Sequence, residues 1–318
     1  MSHFRILVTG GAGFIGSHVV DRLVAGGEEV VIIDDLSTGR TENIAAHLSN
    51  HSAEFHRADF ADKAVLSKLL PGTDVVVHLA GLVSVDRSVV DPATTMRVNV
   101  QGTDVLLESC VEQGVKRLVF ASSAAVYGDL RPPLREDLPS RPLSPYAASK
   151  VAGEAHCRAY WNAYGLQTVV LRLMNVYGPR SRGGPYGGVM TKFAEALNSG
   201  APLTVQGDGK QTRDFVHVSD VASAVSVSVK ASVAPGETFN VGSGVPTSVN
   251  SLAKHFMSSS GRRVPVVHGP PRQAEIRASY ADISKAKRML GFTPRVPLAH
   301  GIKQYLDWFE NDHVIHES

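Results

Sequence analysis

Hydrophobic residues in the first half of the chain fall mostly in short, near-continuous runs instead of alternating strictly with polar ones. The runs are FRILVTG (4–10), EVVIIDD (29–35), AEFHRAD (53–59), DVVVHLAG (74–81), RLVFASS (117–123) and TVVLRLMNVYG (168–178). A strand carries apolar side chains on both faces when both faces of its sheet are covered. Segments of helical period separate the runs. Such alternation predicts right-handed βαβ units in a doubly wound parallel sheet, an α/β fold of Rossmann type.

Two helices stand out. Residues 93–113 place Met96, Val100, Leu107 and Val111 on one stripe, and 146–164 is alanine-rich with Gly165 positioned to end it. After residue 178 the pattern changes. GPRSRGGPYGGV reads as a long functional loop, ETFNVGS (237–243) as one more strand, and the rest as short helices between proline-rich loops. The expected division is a first domain over 1–174 and a smaller C-terminal α/β domain over 175–318, with a return to the first at about 214–240.

Composition narrows the class. A chain of 318 residues can hold two lobes, and 43% hydrophobic with 19% charged residues is ordinary for an enzyme. Net charge is +2 with no basic run of five, which argues against nucleic acid or anionic lipid as a partner. MSHFRILVTG enters a strand too early for a signal peptide, and no apolar run reaches the roughly 18 residues of a membrane span. A soluble, cytoplasmic protein is expected, with Cys110 and Cys157 as reduced core residues. His47 and His51, four apart without a third ligand, suggest a polar surface and no metal site.

The first chemical signal lies in VTGGAGFIGSHVV. Gly10, Gly13 and Gly16 follow a strand and open a helix, where glycines permit a tight turn and close approach of a pyrophosphate. The second strand ends in Asp34, placed to accept a hydrogen bond from a ribose 2′-OH and to repel a 2′-phosphate. That favours NAD over NADP. Asp35 either caps DLSTGR or is a second ribose ligand.

A second signal is SPYAASK, with Tyr146 and Lys150 one helical turn apart on one face. A phenol is a poor base at its ordinary pKa of about 10. An ammonium and a positive nicotinamide ring each lower it by roughly 1–3 units. A third is FASSAAVYGDL, where Ser122 and Ser123 end a strand and Ala124 and Ala125 bring neither acid nor base.

With HLAG, NVQGT, RLMNVYGPR, GDGKQTRDFVHVSDV and YADISKAKRMLGF, these motifs run from about Arg5 to Phe309. The chain resembles the extended short-chain dehydrogenase/reductase family, and within it most closely the UDP-sugar 4-epimerases. The resemblance implies Ser123, Tyr146 and Lys150 as catalytic residues, with Ser123 bonding the sugar O4. It implies a cofactor site of Gly10, Gly13, Phe14, Ile15, Gly16, Asp34, Leu79, Ala80, Gly81, Asn99, Ser122, Tyr146 and Lys150, with Asp59 and Phe60 at the adenine. For a UDP-sugar it implies Arg213 and Arg272 on the diphosphate and Glu275 on the ribose. Asn175 would meet the diphosphate or sugar, Thr204 to Gln206 the uracil edge, and Gly188 and Val189 a closing loop, with Ser123 at the sugar. Ser279 would lie beside the C2 substituent of the hexose, or else face solvent.

Related 4,6-dehydratases carry an Asp-Glu pair where this chain has Ala124-Ala125, and related decarboxylases place a Glu there. The resemblance therefore implies an NAD-dependent 4-epimerase of UDP-hexoses acting through a transient 4-keto sugar. UDP-glucose and UDP-galactose are the expected substrates, and the small Ser279 extends them to UDP-GlcNAc and UDP-GalNAc. Alternatives are a UDP-glucuronate 4-epimerase, with Arg180 or Arg182 meeting the carboxylate, a net NAD-dependent sugar-nucleotide oxidoreductase, and a non-catalytic NAD-sensing scaffold. Val83 departs from galactose-pathway epimerases, many of which have a lysine there. A homodimer through the 93–113 and 146–164 helices is expected, with Trp161 among the residues left for the interface.

Overall fold

The structure is a computed structural model that describes residues 3–182, 188–232, 234–271 and 276–317. Its centre is a seven-stranded parallel sheet built from β1 (Arg5–Thr9), β2 (Glu29–Asp34), β3 (Glu54–Arg57), β4 (Val75–His78), β5 (Arg117–Ser123), β6 (Gln167–Leu173) and, much later in the chain, β10 (Glu237–Val241). The spatial order is β10-β6-β5-β4-β1-β2-β3, so the winding direction reverses between β1 and β4. A crevice beyond the carboxyl ends of those two strands is where such sheets bind ligands.

The near-continuous runs have their explanation here. Ile6, Val8, Ile32, Val77, Val119 and Val169 enter one core, while Leu7, Val31, Ile33, Val76, Leu118 and Val170 enter another on the opposite face. The first face is covered by α1 (Phe14–Ala25) and the later α9 (Val218–Lys230), which pack on each other. The second lies under α3 (Lys63–Leu69), α6 (Gly102–Glu112) and α7 (Pro145–Tyr164), whose Leu66, Leu106, Leu107, Cys110 and Cys157 are buried there. Both cysteines are free. Between β2 and β3 lies the short α2 (Ala45–Ser49). Edge strand β3 is only half-buried, and shorter than its 53–59 run.

The helix expected over 93–113 is one rod with a change of winding. It comprises α5 (Pro92–Met96), a π-helical turn at Arg97–Gln101, then α6, and is preceded by the short α4 (Val85–Val90). Helix α7 matches 146–164 closely. Ser144 Oγ accepts from the Ala147 N–H at its start, and Gly165 in the left-handed region ends it.

The 168–178 run is not one strand. It breaks at Met174, and β7 (Asn175–Tyr177) joins a second sheet beside β9 (Thr212–His217). Both flanking pieces are apolar because each feeds a core, so composition alone conceals the break. Strand β9 also pairs with β11 (Pro246–Ser248) and β13 (Ala278–Ser279). The return to the parallel sheet is made by α9 and β10, while β9, which overlaps the start of the 214–240 window, belongs to the second sheet. Helices α8 (Val189–Ser199), α10 (Val249–Ser260) and α12 (Leu298–Glu317) bury Phe193, Phe256, Tyr305 and Phe309 in a third core. A two-stranded pair, β8 (Leu203–Gln206) and β12 (Val266–Gly269), completes this half, and α11 (Ser284–Leu290) packs back on β10. Among the described residues no helix is long and apolar enough to cross a membrane.

Candidate active site

The glycine turn sits at the winding reversal. Gly10 has φ of 70°, and a Cβ there would come within 2.8 Å of the Ala80 backbone nitrogen at the end of β4. Gly16, in the first turn of α1, lies directly against the Gly10 carbonyl, leaving no room for a side chain. Gly13, Phe14 and Ile15 are half-buried at the start of α1, where no side chain caps the helix among the described residues. Their N–H groups and the helix dipole suit a pyrophosphate. Asp34 is buried beneath the turn, accepting from Ala12 N–H at 3.0 Å and Leu36 N–H at 2.9 Å. Burial pushes its carboxyl above the usual range, against the pull of those N–H groups. Asp35 caps its own loop through Ser37 N–H at 2.8 Å, as the first of its two readings required.

At the next strand end, Gly81 has φ of 148°, and a Cβ there would lie 2.9 Å from Asn99 Oδ1 and 4.0 Å from Lys150 Nζ. Asn99 projects from the π-helical turn and holds the loop after β4. Its Oδ1 accepts from Leu82 N–H at 2.8 Å, and its Nδ2 donates to the Leu82 carbonyl at 2.9 Å and to Ser149 Oγ at 3.0 Å. Buried His78 braces the floor between Thr9 Oγ1 at 2.8 Å and Thr103 Oγ1 at 3.0 Å. Burial, then the nearby Lys150, lowers its pKa to about 3, so it stays neutral. Leu79 and Ala80 line the same edge, half-buried. Phe60 is packed into the core against His78 and Gly102, and Asp59 caps the exposed turn before α3 through Ala61 N–H.

Tyr146 and Lys150 lie one turn apart on α7, as their spacing implied, and the end of β5 brings Ser123 beside Tyr146. Ser123 ends β5, its hydroxyl accepting from Ala125 N–H and lying near enough to the Tyr146 phenol to favour the phenolate. Lys150 donates to the Ala121 carbonyl at 2.8 Å with its ammonium 5.0 Å from the Phe120 ring centre. The electrostatics differ from the sequence expectation. Burial raises the phenol of Tyr146, only Ser123 opposes it, and Lys150 is not among the causes. Burial also lowers the Lys150 ammonium to about 8, against Cys157 and Glu154.

Ser122 points elsewhere. Its hydroxyl donates to Glu154 Oε1. Sequence reasoning missed this Glu154 and its partner Arg172, joined through Nε at 2.9 Å and Nη2 at 2.7 Å. Two signals were present. Glu154 continues the four-residue stripe of Tyr146 and Lys150, and an arginine inside a buried strand demands a carboxylate.

On the second sheet, Asn175 Nδ2 donates to the Asp214 carbonyl at 3.1 Å. Arg213 donates to the Ile276 carbonyl at 2.8 Å and is in register with Ser279. These three are gathered on β7, β9 and β13. Thr204 and Gln206 stand apart on β8, where the Gln206 carbonyl accepts from Gln211 at 2.8 Å. Gly188 starts α8 and Val189 is its first residue. Arg272 and Glu275 lie outside the described residues.

Arg180 and Arg182 are engaged away from these groups. Arg180 pairs with Asp21 of α1 at 2.8 Å, and Arg182 pairs with Asp312 of α12 and stacks over Trp308 at 5.3 Å. His47 bonds Ser52 and Asp21.

The model of the NAD dependent epimerase/dehydratase family matches residues 6–242. The UDP-glucose 4-epimerase of Mycolicibacterium smegmatis is 42% identical over 312 residues, covering 96% of this chain and 99% of its own. The UDP-glucose 4-epimerase of Thermus thermophilus, solved in complex with NAD, is 38% identical with a TM-score of 0.87, covering 96% and 99%. A UDP-N-acetylglucosamine 4-epimerase from Methanobrevibacter ruminantium, solved with UDP-N-acetylmuramic acid, is 34% identical with a TM-score of 0.93, covering 98% and 100%. Matches that span both sheets at this identity admit one conclusion: the chain belongs to the NAD dependent epimerase/dehydratase family.

Proposed function

We propose that this chain is a UDP-hexose 4-epimerase that keeps its NAD through turnover. The observation that carries the reading is the turn Ala124–Tyr127 directly after Ser123. Ala124 and Ala125 are half-buried there and offer no group that exchanges a proton. Elimination of water needs an acid and a base beside the sugar. Inversion at one carbon does not.

The residues fit NAD. Gly10 and Gly16 leave the close approach a pyrophosphate needs, the first turn of α1 offers its N–H groups, and Asp34 supplies a ribose acceptor hostile to a 2′-phosphate. Bound there, NAD supplies reversible hydride exchange at a sugar carbon. Tyr146 takes the proton of the 4-OH and later returns it, and Ser123 orients that hydroxyl. Lys150, charged below about pH 8 and one turn along α7 from Tyr146, is the cation this reading assigns to the phenolate that forms as the proton moves, a state that burial opposes. Arg213 and Asn175 hold the diphosphate side, with Arg272 and Glu275 assigned by resemblance. The ion pairs of Arg180 and Arg182 support a neutral hexose over a uronate.

NMR of products from UDP-glucose, UDP-galactose, their N-acetyl analogues and UDP-glucuronate tests the proposal. Interconversion at C4 of the neutral sugars without accumulation of NADH is expected. Stoichiometric NADH, a dehydrated product, or turnover of UDP-glucuronate alone defeats it.

A further inference from the structure

Asp214 is fully buried on β9, beside Arg213 but on the opposite face of the strand. No lysine, arginine or histidine pairs with it among the described residues. Four short bonds satisfy its carboxylate instead. Oδ1 accepts from Ser243 N–H at 2.7 Å and Ser243 Oγ at 2.6 Å, and Oδ2 accepts from Gly244 N–H at 3.0 Å and Ala281 N–H at 3.2 Å. The Asp214 backbone carbonyl takes the Asn175 amide at 3.1 Å. The fit is close, because a Cβ on Gly242 would stand 2.5 Å from Oδ2.

The donors come from distinct places. Asn175 follows the step from β6 to β7, Ser243 and Gly244 the step from β10 to β11, and Ala281 the step from β13 towards α11. The first two are points where the chain passes from the parallel sheet to the second, and the third is where it leaves the second sheet for α11, which packs on β10. A buried carboxylate without a cation depends on all its donors, so these crossings cannot drift independently. We propose that Asp214 is a positioning residue that locks the sheet bearing Asn175, Arg213 and Ser279 in register with the parallel sheet that bears Ser123 and carries Tyr146 and Lys150 on α7. This rests on the functional reading above, and adds to it the element that brings the two halves of the site together. Loosening the junction leaves each half able to bind and misplaces the sugar against Tyr146.

Asp214→Asn keeps the size and sets an amide donor against the N–H groups. Its kcat on UDP-galactose falls about 100-fold, the scale of a misplacement near 1 Å. UDP affinity by calorimetry stays within about threefold, and bound NAD is unchanged, since the binding groups themselves remain. Ser243→Ala removes one donor and keeps the charge, so it serves if Asp214→Asn does not fold; its kcat falls about fivefold. Wild-type kcat in either folded variant overturns the inference. So does a UDP affinity that falls as far as kcat, which makes Asp214 a local support of the diphosphate site. A wild-type enzyme that neither binds UDP nor converts a UDP-sugar brings down the functional reading and this inference together.

Discussion

Lys150→Met is expected to make the protein more stable at neutral pH. Lys150 is 6% exposed, and burial takes its pKa from 10.5 to about 8. That fall of about 2.5, at about 1.36 kcal/mol for each unit, makes the charged side chain cost about 3 kcal/mol. Methionine fills a similar volume without charge but forfeits the bond to the Ala121 carbonyl, about 1 kcal/mol. The net gain at pH 7 is about 2 kcal/mol. Its pH dependence has a definite sign. The folded protein releases the Lys150 proton at lower pH than the unfolded chain does. Between about pH 8 and 10.5 the unfolded state therefore binds more protons, and wild-type stability rises with pH. Below about pH 8 the cost is present in full. Methionine does not titrate, so the variant's advantage shrinks above pH 8 and is gone by about pH 10. Urea denaturation of both proteins, freed of nucleotide, across this range measures the gap. A variant less stable at pH 7, or a gap that ignores pH, refutes the account of Lys150 as a buried charge retained for chemistry.

Tyr146→Phe should keep NAD and UDP-sugar binding and lose at least about 10²-fold in kcat, with near-wild-type turnover as the refuting result. Ser279→Tyr should abolish conversion of UDP-GalNAc while sparing UDP-galactose; a wild type inactive on UDP-GalNAc shows that Ser279 does not set this breadth. Arg182→Ala should cost about 1 kcal/mol through the lost Asp312 pair and Trp308 stacking, with sugar preference unchanged. A new preference between UDP-galactose and UDP-glucuronate in that variant means that Arg182 reaches the sugar. A homodimer through the 93–113 rod and the 146–164 helix is expected, with Val89 at 64% and Val90 at 81% exposure on neighbouring α4 as further apolar surface. A monomer by sedimentation at micromolar concentration refutes it.

The parallel sheet was legible because its strands, the edge strand β3 apart, have no polar face, and such runs occur in few other settings. The second sheet was not. Its strands span two to six residues and mix Arg213, Asp214 and Thr212 with apolar positions, so neither period nor composition marks them. The Tyr146–Lys150 pair was legible because helical spacing alone puts both on one face. Glu154 needed Arg172, and Asp214 needed Ser243 and Ala281, partners 18, 29 and 67 residues away. Local pattern carries no information about such pairings. The raised phenol of Tyr146 was hidden for a similar reason, since burial is a property of the assembled cleft.

The step at Met174 constrains how this chain can change in length. Met174 N–H still bonds Val241 in the parallel sheet, and Asn175 already pairs with Phe215 in the other, so no slack residue separates them. Val176 packs towards the parallel-sheet core and Tyr177, 1% exposed, towards the third core. One inserted or deleted residue here would exchange those two faces. It would drive a phenol into space shaped for valine and turn Asn175 away from the Asp214 carbonyl. Insertions are better absorbed by the irregular, exposed stretch over 139–143. Grafting of new loops onto this scaffold therefore has to leave residues 173–177 at their present spacing.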